Sequence, residues 1–202
     1  MLSMRTAYVG MYETFADWEI GHLLVELRTG RFTGEQWRVV TVGESPEAVV
    51  TMGGLRVVPD VVIGEVVPDE GDLLVLAGAG GWEDGSRDAF VKLAERFLEK
   101  DVPVAAICGA TAGLAAAGLL DDRKHTSAVK EYLQATGYQG ADNYVDERAV
   151  ADGNVITAGP DSPVQFARAA MQRLGLADER KLDAYEGVFH RADPAAYPIL
   201  VG

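Results

Sequence analysis

Short apolar runs alternate along the chain with stretches of helical spacing. Residues 5–9 read as a buried parallel strand. Over residues 15–27 the side chains of Ile20, Leu23, Leu24 and Leu27 recur at helical spacing, and Gly30 follows as a stop signal. Residues 38–42 are β-branched and predict a second strand. Within residues 49–67, Val49-Val50-Thr51 and Leu55-Arg56-Val57-Val58 flank Met52-Gly53-Gly54, which predicts a small hairpin. Residues 73–76 form a continuous apolar run, the mark of a central strand, and enter a loop of small residues at 77–81. Residues 87–99 predict a helix with Phe90, Leu93, Ala94, Phe97 and Leu98 facing inward. Residues 104–107 predict another central strand, followed by Cys108 and a helix of small residues to about Ala117.

Further on, residues 128–135 predict a helix, and residues 149–157 a hairpin or strand pair around Asp152-Gly153. Residues 161–174 predict a helix with Asp161 or Ser162 as N-cap and Pro163 in its first turn. Residues 182–202, with Pro194 and Pro198, read as an irregular tail. No repeat, low-complexity tract or linker interrupts the chain. Residues 1–202 are therefore expected to form one domain, with a core over about 4–176 and a tail over about 177–202. The alternation predicts an α/β fold whose mostly parallel sheet is covered on both faces. Sites in such folds lie at the carboxyl ends of the strands.

Composition narrows the function. Of 202 residues, 48% are apolar, enough for a sizeable core. Eighteen basic against 31 acidic residues give a net charge of −13. That surface repels phosphate backbones and anionic lipid, so neither nucleic acid nor a membrane surface is an expected partner. A single cysteine forbids an internal disulfide and fits a reducing, cytoplasmic setting. Residues 1–11 lack the length and cleavage pattern of a signal peptide and read better as a first strand. Residues 102–120 carry no charge over 19 positions, long enough to span a bilayer. Pro103, Gly109, Gly113, Gly118 and abundant alanine instead suit a buried strand running into a buried helix.

Ala106-Ile107-Cys108-Gly109-Ala110 carries the strongest chemical signal. A nucleophile between a strand and a helix needs a sharp turn, and small residues two positions to either side let it close. The helix N-terminus would aim free N–H groups at the sulfur, favouring thiolate and offering oxyanion donors. The other reading is a small buried hydrophobe. The loop at 77–81 could supply further amides beside Cys108, or be a plain turn. Asp17 and Glu19 open the first helix as dipole partners, or place a carboxyl near Cys108. His22, His125 and His190 have no metal-ligand spacing, so no metal site is expected.

These pieces, in this order, resemble the ThiJ/PfpI superfamily, also called the DJ-one superfamily, of the class I glutamine-amidotransferase-like fold. Four stretches carry the resemblance: Phe-Ala-Asp-Trp-Glu at 15–19, Leu-Ala-Gly-Ala-Gly-Gly-Trp at 76–82, Ala-Ala-Ile-Cys-Gly-Ala-Thr-Ala-Gly-Leu at 105–114, and Gly-Leu-Leu-Asp-Asp-Arg-Lys-His-Thr-Ser at 118–127. The bacterial branch often labelled glutamine amidotransferase-like or general stress protein looks most similar. The resemblance implies a flavodoxin-like three-layer sandwich. It implies Cys108 as elbow nucleophile and Glu19 as the acid that hydrogen-bonds the sulfur. It also implies Ala79 and Gly109 as backbone oxyanion donors, no cofactor, and a homodimer.

Three departures qualify it. Gly109 stands where protease-like members have histidine, which argues against peptidase activity. Ala128 stands where human-type members have a histidine beyond the Thr-Thr strand. His125 lies three residues earlier, and on a strand an odd offset turns it to the opposite face. His125 and Asp17 therefore remain only accessory candidates. Finally, Ala77-Gly78-Ala79 replaces the usual proline-glycine-glycine. No late His-x-Glu exists, which argues against glutaminase activity. Three functions remain: an enzyme of glyoxalase, deglycase or hydrolase type acting in stress defence on small electrophiles, reactive carbonyls or amide-like carbons; a redox-sensing stress protein; or a structural or partner-binding protein with an inert cysteine.

Overall fold

A computed structural model describes residues 4–69 and 72–202. Residues 1–3, part of the segment assessed above for a signal peptide, lie outside the described residues. In chain order the elements are β1 (Thr6–Gly10), α1 (Asp17–Thr29), β2 (Arg38–Gly43), β3 (Val49–Val50), β4 (Arg56–Val57), β5 (Val61–Val62), β6 (Leu73–Leu76), α2 (Asp88–Glu99), β7 (Val104–Ile107), α3 (Gly109–Ala116), α4 (Lys130–Gln134), β8 (Ala149–Asp152), β9 (Val155–Ala158), α5 (Pro163–Arg173), α6 (Glu179–Phe189) and α7 (Tyr197–Val201).

Among the described residues the main sheet has seven strands in the order β5-β2-β1-β6-β7-β9-β8. Every pairing is parallel except β8 with β9. The runs Leu-Leu-Val-Leu of β6 and Val-Ala-Ala-Ile of β7 are buried at every position, because the sheet is covered on both faces there.

From β1 the chain builds outward through β2 to β5, then returns to the other side of β1 with β6, β7 and β9. Right-handed crossovers in opposite directions put α1 on one face and α2 and α3 on the other. Accordingly α1 packs with α5, and α2 with α3. The strand order reverses between β1 and β6, and the crevice at their carboxyl ends is where such sheets bind ligands. The loops after β1 and β6 and the elbow after β7 all open there. The result is the three-layer α/β sandwich expected from the alternation.

Several local expectations need correction. Residues 182–202 are not irregular. They contribute most of α6 and all of α7, and Leu182, Tyr185 and Leu200 are buried in the same apolar cluster as the sheet. The core thus extends well past residue 176. The Thr-Ser stretch forms no strand of the sheet and makes only an isolated bridge between His125 and Tyr144. Ser162 holds the N-cap position of α5 without a side-chain capping bond; its hydroxyl donates to Asp161 instead. The uncharged stretch 102–120 folds as β7 and α3, and among the described residues no helix is long and apolar enough to cross a membrane.

Candidate active site

Cys108 joins β7 to α3 with φ 58° and ψ −126°, a left-handed turn that non-glycine residues rarely adopt. The surroundings hold it there. Its N–H donates to Ala158 O at 3.0 Å. Its carbonyl accepts from Thr111 N at 3.1 Å and from Thr111 Oγ1 at 2.6 Å. Thr111 Oγ1 also lies 2.7 Å from Ser127 Oγ. The threonine proton is already committed to Cys108 O, so Ser127 donates. Ala106 and Ala110 are fully buried, as a closed turn demands. The cysteine itself is half-buried.

Glu19, in the first turns of α1, is fully buried. Its Oε2 accepts from Gly78 N at 2.7 Å, while Gly78 O accepts from Ala16 N at 2.8 Å. Both polar groups of Gly78 thus lock the loop after β6 onto the start of α1. A β-carbon on Gly78 would lie 2.9 Å from Cys108 Sγ and 3.0 Å from Glu19 Oε2. Thiol and carboxyl therefore converge on one point that only glycine leaves open. Glu19 Oε1 is buried without a hydrogen-bond partner.

The rest of the loop is anchored by aromatic donors. Ala77 O accepts from Tyr12 Oη at 2.6 Å and from Trp82 Nε1 at 3.1 Å. A β-carbon on Gly109 would sit 3.3 Å from Ala79 O and 3.5 Å from Ala79 N. Ala79 and Gly109 are thus neighbours across the elbow.

Burial raises the Glu19 carboxyl above its ordinary range, opposed by the Gly78 amide and by the Cys108 side chain. Burial first, then the Glu19 charge and the side-chain contact with Glu19, push the Cys108 thiol up to about 12. The Gly109 amide pulls the other way. The helix N-terminus alone was expected to favour thiolate. Its contribution is present, but burial first and then an ionised Glu19 outweigh it. Both groups resist ionising together, so the pair retains one proton over a wide pH range.

The match to known proteins covers this constellation. Residues 5–173 match the DJ-1/PfpI family. The chain belongs to that family. In sequence it is similar to the uncharacterized protease YoaZ of Bacillus subtilis, 35% identical over 87% of this chain and 86% of the relative. It is also similar to the deglycase PfpI of Pyrococcus furiosus, 30% identical over 61% of this chain and 75% of the relative. In structure it resembles a thiJ/pfpI family protein from Bacillus anthracis with a TM-score of 0.91 and 34% identity, over 98% of this chain and 97% of the other.

Two accessory candidates lie elsewhere in this DJ-1/PfpI chain. Asp17 Oδ2 accepts from Thr51 Oγ1 at 2.6 Å, tying α1 to the β3–β4 hairpin. His125 is fully buried between Tyr138 and Tyr144. Its Nδ1 lies 2.8 Å from Arg123 O and must donate, so Nε2 accepts from Tyr138 Oη at 3.1 Å. Both ring nitrogens are engaged away from Cys108, and burial lowers the histidine's pKa. Two other groups reach the site without having been singled out in the sequence. Tyr132 of α4 donates to Glu83 Oε1; the Glu83 charge is felt at Cys108, and that of Cys108 at Tyr132. Glu83 directly follows the Gly-Gly-Trp of the loop, a position that could have flagged it. Nothing in the pattern of α4 flags Tyr132.

Proposed function

We propose that Cys108 is a nucleophile that adds to small carbonyl electrophiles, with Glu19 as its proton partner. The convergence of Cys108 Sγ and Glu19 Oε2 on Gly78 carries this reading. The pair keeps one proton and one negative charge. With the proton on Glu19 the carboxylate that helps to raise the thiol is neutralised, and the negative charge sits on sulfur, facing the Gly109 amide at the N-terminus of α3, as a large polarisable anion that tolerates desolvation. The proton resides on the Glu19 carboxyl that converges with Cys108 Sγ at Gly78.

In the reaction the thiolate forms a C–S bond to the carbonyl carbon, and the carbonyl π electrons move to oxygen. The Ala79 and Gly109 amides receive the resulting alkoxide. Glu19 then passes its proton to that oxygen, leaving a neutral hemithioacetal and a carboxylate. With a 2-oxoaldehyde the carboxylate takes the proton from the sulfur-bearing carbon and gives it to the neighbouring carbonyl oxygen, forming an enediol; it then takes the hydroxyl proton of the first oxygen and gives it to the second carbon, leaving a thioester with a 2-hydroxyl. Water cleaves the thioester to a 2-hydroxy acid and restores the thiol. The similarity to a deglycase supports carbonyl chemistry. No step calls for a cofactor.

The test is turnover of methylglyoxal by the wild-type chain and by Cys108→Ser. Loss of lactate formation in the variant is expected, and equal rates would refute the reading. The unpartnered Glu19 Oε1 also favours a second reading, stress sensing. Peroxide would convert the thiolate to sulfenic acid, the displaced hydroxide taking the Glu19 proton to leave as water, and the new S–OH would donate to the Glu19 carboxylate. Stable oxidation at low peroxide without carbonyl turnover would select it.

The chain is further proposed to act in the cytoplasm as a homodimer. Val50, Met52, Leu55 and Val58 are exposed apolar side chains of the β3–β4 hairpin, which supports pairing there.

A further inference from the structure

Two polar groups near the elbow, Glu83 and Tyr132, have no part in the mechanism above. Glu83 follows Trp82, whose Cδ1 lies 3.0 Å from the point a Gly109 β-carbon would occupy. Its backbone is therefore one peptide step, about 3.8 Å, from a residue packed on the elbow. Its side chain accepts from the hydroxyl of Tyr132, which is half-buried on α4. Helix α4 packs on α3. The bond thus ties the loop that carries Ala79 to the helix beside the elbow.

The charges that act most strongly on Cys108 are those of Glu19 and Glu83. Two groups that could carry countercharge make contacts of their own. Arg87 donates to the carbonyls of Ser86 and Glu13 and lies over the Tyr12 ring. His125 has both nitrogens engaged. The Tyr132 proton is committed to Glu83, so its oxygen presents only acceptor lone pairs to an incoming molecule. An anion arriving here meets a carboxylate, a lone pair and the charge of the Cys108–Glu19 pair.

We infer that Glu83 and Tyr132 form a charge filter at the mouth of the Cys108 site, which admits uncharged electrophiles and excludes those bearing a carboxylate or phosphate. The inference rests on the reading of Cys108 as an accessible nucleophile.

The test compares alkylation of Cys108 by neutral iodoacetamide and anionic iodoacetate in the wild-type chain, in Glu83→Gln and in Tyr132→Phe. Mass spectrometry confirms the modified residue. Glu83 is exposed, so its substitution leaves the fold intact. Removing one nearby charge is expected to raise the iodoacetate-to-iodoacetamide rate ratio about fivefold at low salt. Most of that gain should vanish in 1 M salt, where screening acts over about 3 Å. Tyr132→Phe, which releases the carboxylate, should move the ratio the same way by less. An unchanged ratio in Glu83→Gln, with iodoacetamide still reacting, would overturn the filter alone. A wild-type Cys108 inert to both reagents would overturn the nucleophile reading and the filter with it.

Discussion

The Gly78 amide donates to Glu19 Oε2 at 2.7 Å, and this bond aligns the carboxyl with the Cys108 elbow. The same glycine leaves no room for a side chain. In Gly78→Ala the new methyl would press on Cys108 Cβ and Sγ, each 2.9 Å away. Overpacking of this kind costs about 1–3 kcal/mol. Urea unfolding should show that loss, and Cys108 alkylation should slow as Glu19 is displaced. An unchanged unfolding midpoint together with an unchanged rate would mean that the three residues do not meet.

Glu19 also links stability to pH. Burial raises its folded-state pKa, so the folded chain binds this proton more tightly than the unfolded chain does. That contribution is complete below the ordinary glutamate value of 4.5 and is lost as pH rises through the raised folded value. Relative to Glu19→Gln, the wild-type chain should therefore lose stability as pH increases above about 4.5. Denaturation midpoints for both proteins across this interval measure the difference. Parallel curves would place the Glu19 carboxyl in ordinary solvent.

His125 holds the loop beyond α3 rather than the chemistry. In Tyr138→Phe its buried Nε2 loses its donor, a loss of about 1–3 kcal/mol. The pH profile of Cys108 alkylation should stay where it is. A shifted profile would return His125 to the site as a proton-transfer partner.

The sequence was most readable where burial forces a simple pattern. The continuous apolar runs of β6 and β7 are visible because both faces of those strands are covered. Gly30, in the left-handed conformation after α1, marks a true helix end. The two-residue strand β5 left no comparable trace, because pairing at the sheet edge needs only Val61 and Val62. The tail misled for a different reason. Pro194 and Pro198 suggested irregularity, yet Pro194 opens a 3-10 turn and Pro198 lies in the first turn of α7, where a missing N–H is harmless.

The candidate site divides in the same way. Cys108 and its small flanking residues are legible because the elbow geometry constrains them locally. Glu19 and Ala79 were placed by resemblance, since nothing local marks a carboxyl on α1 as facing a thiol on another element. Tyr132 meets Glu83 across 49 positions of chain, a contact that only the packing of α4 on α3 creates. The direction of the thiol's pKa depends first on its burial and then on such a long-range contact. The helix N-terminus is visible in sequence, but the charge of Glu19 beside it is not.

The location of the shared proton is the central claim, and the pH dependence of Cys108 alkylation in the wild-type chain and in Glu19→Ala tests it most directly. With the charge on sulfur and the proton on Glu19, the wild-type thiol titrates below the free value of about 8.5. Removing the donor then moves the apparent pKa upward in Glu19→Ala. The opposite result, a wild-type thiol that ionises only near 12 and a Glu19→Ala thiol that ionises more easily, would mean that Glu19 carries the charge. Cys108 would then rest as a protonated thiol, and the proposed nucleophile would be contradicted.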